Sequence, residues 1–201
     1  MTKLLFLLKN ELLMQTFRNC RLNMLTEKDF KKNELWMFNA ATVTKFNPIY
    51  RNENGVYQKD EWDDYGDIGR TFDGKKLSFR EYKIIEDKYV ESIKYLFTFY
   101  NCNKIQLISK RLFLDDLSCL RDDKLGDFYN QIKERRTINI SEVEMISRLI
   151  LRGALNVELW GKDNRNVVVR FDSSYYMFFN CPNIEDIKNY IEDEIGLYVD
   201  L

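Results

Sequence analysis

One segment in the middle of the chain has the spacing of a long amphipathic helix. Its apolar side chains recur every three or four residues and form one face over about five turns: Tyr82, Ile85, Tyr89, Ile93, Leu96 and Tyr100. Just before this face, Ser78 and Glu81 match a capping box, in which each side chain accepts a hydrogen bond from a free backbone N–H group. The charged residues in between, Glu86 and Asp87 among them, are predicted to lie off the apolar face.

The last third of the chain alternates apolar and polar residues, which is typical of strands with one buried face. Three strands are predicted at 157–160, 167–171 and 175–179, and short turns between them favour an antiparallel meander. Further strands are predicted at 35–38, 41–46 and 105–108, and a hairpin at 49–58 with Asn54-Gly55 in its turn. Helices are predicted at about 3–18, 79–100, 142–152 and 184–195, with Ser141 and Glu144 as the capping box of the third.

These elements predict an α+β fold in which antiparallel sheet elements pack against several amphipathic helices. We find no internal repeat and no linker rich in proline, glycine or serine. We therefore expect one domain over 1–201, with possible sub-regions 1–110 and 111–201.

The composition argues against several classes of enzyme and of binding partner. Histidine is absent, so the commonest catalytic base and metal ligand is missing and hydrolases of the usual serine or cysteine type are not expected. The charge is balanced, with 31 basic and 32 acidic residues, and no overall field would attract nucleic acid or an anionic membrane as a partner. Scattered cysteines, without a Cys-x-x-Cys pair, and an apolar N-terminal run too short for a signal peptide predict a soluble, cytoplasmic protein.

A short segment of the front half combines carboxylates with aromatic residues. Between Lys59 and Gly69 there are five carboxylates, one tryptophan and one tyrosine. Tryptophan and tyrosine anchor many protein interfaces, and carboxylates around them steer a basic partner toward the contact. The candidate partner-binding residues are Glu61, Trp62, Asp63, Asp64, Tyr65 and Asp67.

The same segment permits two other interpretations. Its oxygen ligands would suit Mg²⁺ or Ca²⁺, although the spacing around Gly66 does not match the calcium-binding loop. Alternatively, it is a hydrated loop, with Trp62 in the core and the carboxylates in water, because runs of charge usually hydrate. We expect no metal and no cofactor.

Two stretches resemble segments of bacterial immunity-type proteins, the cytoplasmic antidotes of contact-dependent growth inhibition and other polymorphic toxin systems. The first runs from Asp60 through Gly69 into the helix that begins after Ser78, and the second covers 170–177. Together they span about a quarter of the chain. The resemblance implies a non-enzymatic protein that binds a cognate toxin domain, often a nuclease, and blocks it.

Two alternatives remain open at this stage. One is a Mg²⁺-dependent phosphodiester enzyme that uses carboxylates alone, and the other is an accessory or scaffold protein with a hydrated acidic loop. Oligomeric state is not specified by any of these features.

Overall fold

The computed structural model describes residues 40–114, 117–172 and 174–201. The predicted helix at 3–18 and the predicted strand at 35–38 lie outside these ranges. Within them the chain has the predicted α+β arrangement, with one large antiparallel sheet and several helices. None of the helices in the described ranges is long and apolar enough to cross a membrane.

Seven strands form the main sheet, in the spatial order β5-β4-β6-β7-β8-β1-β9, and every neighbouring pair is antiparallel. The remaining two, β2 and β3, pair only with each other. In chain order the strands are β1 (Ala41–Thr44), β2 (Thr71–Phe72), β3 (Lys75–Lys76), β4 (Lys104–Leu112), β5 (Thr137–Asn139), β6 (Leu155–Gly161), β7 (Val168–Phe171), β8 (Tyr176–Asn180) and β9 (Tyr198–Asp200). The sheet thus takes strands from both predicted sub-regions, and the predicted meander is its β6-β7-β8 section.

The predicted helices at 79–100, 142–152 and 184–195 are confirmed, and the described residues form one further helix, at Asp123–Ile132. They are α1 (Phe79–Phe99), α2 (Asp123–Ile132), α3 (Val143–Leu151) and α4 (Glu185–Asn189), which continues as a π-helix over Tyr190–Ile195. Short 3₁₀ turns occur at Pro48–Tyr50, Tyr65–Asp67, Ser118–Leu120 and Ile140–Glu142. The predicted capping box at Ser141 is wrong, because the Glu142 carboxylate instead accepts the Asn139 N–H at 2.9 Å and begins the helical segment earlier.

One face of the sheet supplies the core. Its side chains are all buried and alternate along each strand, as a half-buried sheet requires: Ala41, Val43, Ile105, Leu107, Val157, Leu159, Val169, Phe171, Met177 and Phe179. They join apolar side chains of α1 and α3 in a single hydrophobic cluster. The helix pair therefore supplies the second layer that the sequence pattern requires.

The predicted hairpin at 49–58 forms only in part. A single isolated bridge joins Arg51 and Tyr57, and Gly55 has the expected positive φ of 77° at the turn. Regular strands do not form because Pro48 opens a 3₁₀ turn, whose first N–H group is bound by the Asn47 side chain. The result is an irregular ribbon that leaves the sheet after β1.

Gly161 at the end of β6 has no room for a side chain. A Cβ atom there would lie 2.6 Å from the Asn164 carbonyl oxygen and 2.7 Å from Cys102 Sγ. We expect Gly161→Ala to lower the free energy of unfolding by about 2 kcal/mol, measured by urea denaturation. Gly126→Ala in α2 is the control: its Cβ would meet Leu117 at 3.7 Å, and alanine should raise stability by about 1 kcal/mol. Two effects of the same sign would contradict this description of the packing.

The predicted capping box at the start of α1 is confirmed, and it makes stability depend on acid pH. Glu81 accepts the Ser78 N–H at 3.1 Å and pairs with Lys75 of β3. The Lys75 hydrogen bond, followed by those from Ser78, lowers the pKa of Glu81 from 4.5 to about 2. Because the folded-state pKa is the lower one, the stabilisation is complete above about pH 4.5 and is lost as the pH falls toward about 2.

Thermal melts of the wild type and Glu81→Gln test this dependence. We expect the wild type to melt at the higher temperature near neutral pH, and the difference to shrink as the pH falls from about 4.5 through about 2 and to vanish below that. A difference that stays constant over this range would show that the charge of Glu81 does not contribute.

Candidate functional site

Asp67 is buried beneath the acidic segment. Its carboxylate accepts the backbone N–H groups of Asp63 and Asp64 at 3.0 and 3.2 Å, and it pairs with Arg70 at 2.7 Å. Asp64 in turn accepts the Gly66 N–H and so caps the 3₁₀ turn that Asp67 ends. These reciprocal bonds fix the backbone of the segment, and Asp67 holds the surface in place instead of forming part of it.

Glu61 is also held by its own chain. Its carboxylate accepts the Tyr57 hydroxyl at 2.8 Å and pairs with the Lys45 ammonium at 3.3 Å. The Lys45 ammonium lies 4.2 Å from the ring centroids of both Phe46 and Trp62. Burial lowers the pKa of Lys45, and the Glu61 carboxylate opposes that shift. Lys45 therefore anchors the acidic segment to the end of β1.

The two aromatic residues of the segment are half-buried and face inward. Trp62 contacts Tyr175 and Tyr82, with ring centroids at 5.2 and 5.5 Å. Tyr65 packs edge-on against Tyr82 at 5.0 Å, and its hydroxyl donates to the Cys119 carbonyl oxygen at 2.7 Å. Aromatic contacts of this kind contribute stabilisation beyond that of the apolar area that they bury. They attach the backbone of the acidic segment to the hydrophobic core.

Asp63 and Asp64 are the predicted site residues that face solvent, together with the neighbouring Asp60. The carboxylates of the segment thus point in different directions, with Glu61 and Asp67 turned toward their own chain. Among the residues that the structure describes, no three His, Cys, Asp or Glu side chains converge as metal ligands would. The carboxylate-only magnesium enzyme therefore gains no support from this geometry.

The ribbon before the acidic segment exposes apolar side chains. Ile49 is 73% exposed, Val56 57% and Tyr50 37%. The ribbon is nevertheless well ordered by hydrogen bonds: the Asn52 side chain accepts the Val56 N–H at 2.9 Å, and the Asn52 N–H donates to the Val56 carbonyl oxygen at 2.9 Å. We call residues 47–64, which comprise this ribbon and the exposed carboxylates after it, the 47–64 segment.

The ribbon has an inner and an outer side. Arg51 and Tyr57 face each other across the bridge and point inward, where Arg51 pairs with Asp200 of β9 at 2.5 Å. Successive side chains of an extended chain point to opposite sides. Val56, the residue before Tyr57, therefore points outward, in agreement with its exposure. Tyr50 belongs to the 3₁₀ turn Pro48–Tyr50; it is 37% exposed, and its ring packs edge-on against that of Tyr57 at 6.4 Å.

A buried network of ion pairs lies beneath the acidic segment, next to Tyr65. Glu86 of α1 is 0% exposed and accepts two hydrogen bonds from Arg152, at 2.6 and 2.9 Å, and one from Arg148, at 2.6 Å. The Arg152 guanidinium also donates to the Leu120 carbonyl oxygen and lies 5.7 Å from the ring centroid of Tyr65. The network thus joins α1, the end of α3 and the Ser118–Leu120 turn at the place where Tyr65 packs.

The prediction that Glu86 lies off the apolar face of α1 is wrong. Glu86 follows Tyr82 by four residues and precedes Tyr89 by three, which places it on the apolar stripe. This position on the stripe was the available signal that Glu86 is buried, but no local pattern identified Arg148 and Arg152 as its partners. Lys45 and Tyr57 carried no comparable signal, because their roles depend on the path of the ribbon.

Both outer edges of the main sheet carry a carboxylate that binds an outward-facing N–H group. Glu142 accepts the Asn139 N–H of β5 at 2.9 Å, and Glu192 accepts the Val199 N–H of β9 at 3.0 Å. A bound N–H group cannot pair with an added strand, and these carboxylates would repel an approaching carbonyl edge. Each outer edge of the main sheet therefore has at least one N–H group that is not available to pair with an added strand.

Comparison with known protein families, curated proteins and solved structures finds no significant match to this chain. The molecule does, however, present a surface segment whose inner side is fixed by ion pairs and aromatic packing, while its outer side exposes carboxylates and apolar side chains to solvent.

Proposed function

We propose that this chain is a non-enzymatic immunity-type protein that binds and neutralises a cognate toxin domain, possibly a nuclease, in the bacterial cytoplasm. The contact surface in this proposal is the 47–64 segment together with Tyr65. The observation that carries the proposal is the outward placement of Asp63 and Asp64 on a backbone that Asp67 holds rigid.

Rigidity favours binding because an ordered surface loses little conformational freedom when a partner docks. The charge of the surface favours a basic partner, since carboxylates steer such a partner and speed its approach. A nuclease must bind phosphates and so carries basic residues at its substrate surface. Blocking that surface with carboxylates would neutralise the enzyme without any chemistry by this chain.

The proposal predicts that reversing the outward charges abolishes protection. The probe is the toxin domain that the proposal expects to be encoded beside this chain, called here the neighbouring toxin domain. We expect Asp63→Lys combined with Asp64→Lys to weaken binding by about 100-fold in a calorimetric titration, because two attractive contacts become repulsive. In cells that produce the toxin domain, we expect the wild type to restore growth and the double variant to fail.

A matched control changes the net charge equally at exposed positions on two helices. Glu91→Lys combined with Asp127→Lys, on α1 and α2, should bind and protect as the wild type does. Equal loss in both double variants would indicate a general effect of charge. Wild-type affinity in the Asp63, Asp64 double variant would remove these carboxylates from the contact surface.

A further inference from the structure

The exposed apolar side chains of the described residues are unevenly distributed. Of the eight large hydrophobic residues that are exposed, three lie inside the 47–64 segment, in the stretch of eight residues from 49 to 56: Ile49, Tyr50 and Val56. Single exposed hydrophobic residues are common on protein surfaces, whereas a local group beside charged residues is typical of interfaces. Their local concentration is therefore the feature to explain.

The hydrophobic group is presented to solvent by specific structure. The 3₁₀ turn Pro48–Tyr50 begins with a capped N–H group and has no buried residue. The backbone of Val56 is bonded to Asn52 in both directions, by the N–H and by the carbonyl oxygen. An ordered backbone that holds apolar side chains in water is suited to insertion into a partner's pocket, because the freedom of the loop is already restricted.

The surroundings of this group are acidic. The 47–64 segment contains five acidic and two basic residues, although the whole chain has a net charge of only −1. Both basic residues are occupied within the chain: Arg51 pairs with Asp200, and the Lys59 ammonium lies over the ring of Tyr50 at 3.5 Å. Among the acidic residues Glu61 is likewise paired, with Lys45, so the acidic character of this surface comes from Glu53, Asp60, Asp63 and Asp64. A complementary partner would hence offer an apolar socket surrounded by lysine and arginine side chains.

We infer that Ile49, Tyr50 and Val56 form the energetic centre of the contact, and that the carboxylates of the 47–64 segment form its rim. The partner is a protein surface with an apolar socket and a basic border. This inference rests on the proposed function and adds a division of roles. Apolar side chains at the centre of an interface set the dissociation rate, whereas rim charges set the association rate and its salt dependence.

The division of roles is tested by binding kinetics with the neighbouring toxin domain at two salt concentrations. We expect Ile49→Ser combined with Val56→Ser to raise the dissociation rate by about 30-fold and to leave the association rate nearly unchanged. We expect Asp63→Asn combined with Asp64→Asn to lower the association rate and to flatten its salt dependence. Thermal melts of both double variants should match the wild type, because all four side chains are exposed and asparagine at position 64 keeps the oxygen that accepts the Gly66 N–H.

Ile84→Ser is the matched control. Ile84 is 54% exposed, and it lies roughly 200° around α1 from Tyr82, the residue that contacts Trp62. This variant should bind with wild-type rates. If the wild type does not bind the neighbouring toxin domain, the proposed function and this inference are both contradicted. If the wild type binds and the Ile49, Val56 variant dissociates at the wild-type rate, only this inference is overturned.

Discussion

Glu86→Ala is expected to lower the free energy of unfolding by about 3–5 kcal/mol, which is a large part of the stability of a typical domain. The substitution leaves the guanidinium groups of Arg148 and Arg152 in the protein interior without the carboxylate that both of them bind. Burial is the largest single influence on the pKa of Arg152 and lowers it, but hydrogen bonding to Glu86 and the negative charge of Glu86, with smaller contributions from Tyr65 and Tyr82, together raise that pKa above its usual value. Urea denaturation followed by circular dichroism measures the loss.

Glu144→Ala is the control for this prediction. Glu144 pairs with the same Arg148 at 2.9 Å, but its carboxylate remains open to solvent, where an ion pair contributes at most about 1 kcal/mol. The two substituted carboxylates therefore bind the same arginine, Arg148, but differ in how deeply they are buried. Comparable losses for Glu86→Ala and Glu144→Ala would show that the buried network is not what joins α1 to α3.

Tyr175→Ala is expected to cost about 3–5 kcal/mol as well, because it removes a buried ring from the centre of an aromatic cluster. Tyr175 contacts Trp62, Tyr82 and Tyr89, with ring centroids at 5.2, 6.1 and 5.2 Å. Its carbonyl oxygen accepts the Tyr89 hydroxyl at 2.6 Å. The backbone at Tyr175 has a φ of 58°, an unfavourable value for a residue with a side chain, and these contacts hold it there.

Tyr175→Phe separates the ring from its hydroxyl. The Tyr175 hydroxyl lies 2.5 Å from that of Tyr82, and without it Tyr82 still donates to the Leu151 carbonyl oxygen at 3.2 Å. No buried donor loses its partner, so we expect a cost of about 1 kcal/mol or less. The same urea titrations measure both variants. If Tyr175→Phe lowers the free energy of unfolding as much as Tyr175→Ala does, the hydroxyl and not the ring provides the stabilisation.

Local patterns in the sequence predicted the elements with regular spacing. The step of three and four residues predicted α1, and strict alternation predicted the β6-β7-β8 meander, because one buried face imposes these periods. Pairings between distant residues were not predictable. Glu86 binds arginines 62 and 66 positions away, and no short-range pattern specifies such a contact.

The acidic segment lies at the surface, as the sequence predicted, but the direction in which each of its side chains points was not predictable. Asp63 and Asp67 are the same residue type four positions apart, yet one faces solvent and the other is buried beneath the turn. The 3₁₀ geometry of Tyr65–Asp67 decides this difference. Likewise, the sequence predicted a hairpin at 49–58, but it did not predict that an irregular ribbon would leave Ile49 and Val56 in water.

In the proposed function, the 47–64 segment is the surface that contacts the protein partner. Backbone hydrogen exchange, measured on the free chain and on the chain saturated with the neighbouring toxin domain, tests it directly because exchange reports on every segment at once. We predict that protection on binding is concentrated in the 47–64 segment, while α2 and β5 exchange as in the free chain. Protection of other segments, with the exchange of the 47–64 segment unchanged, would contradict the account.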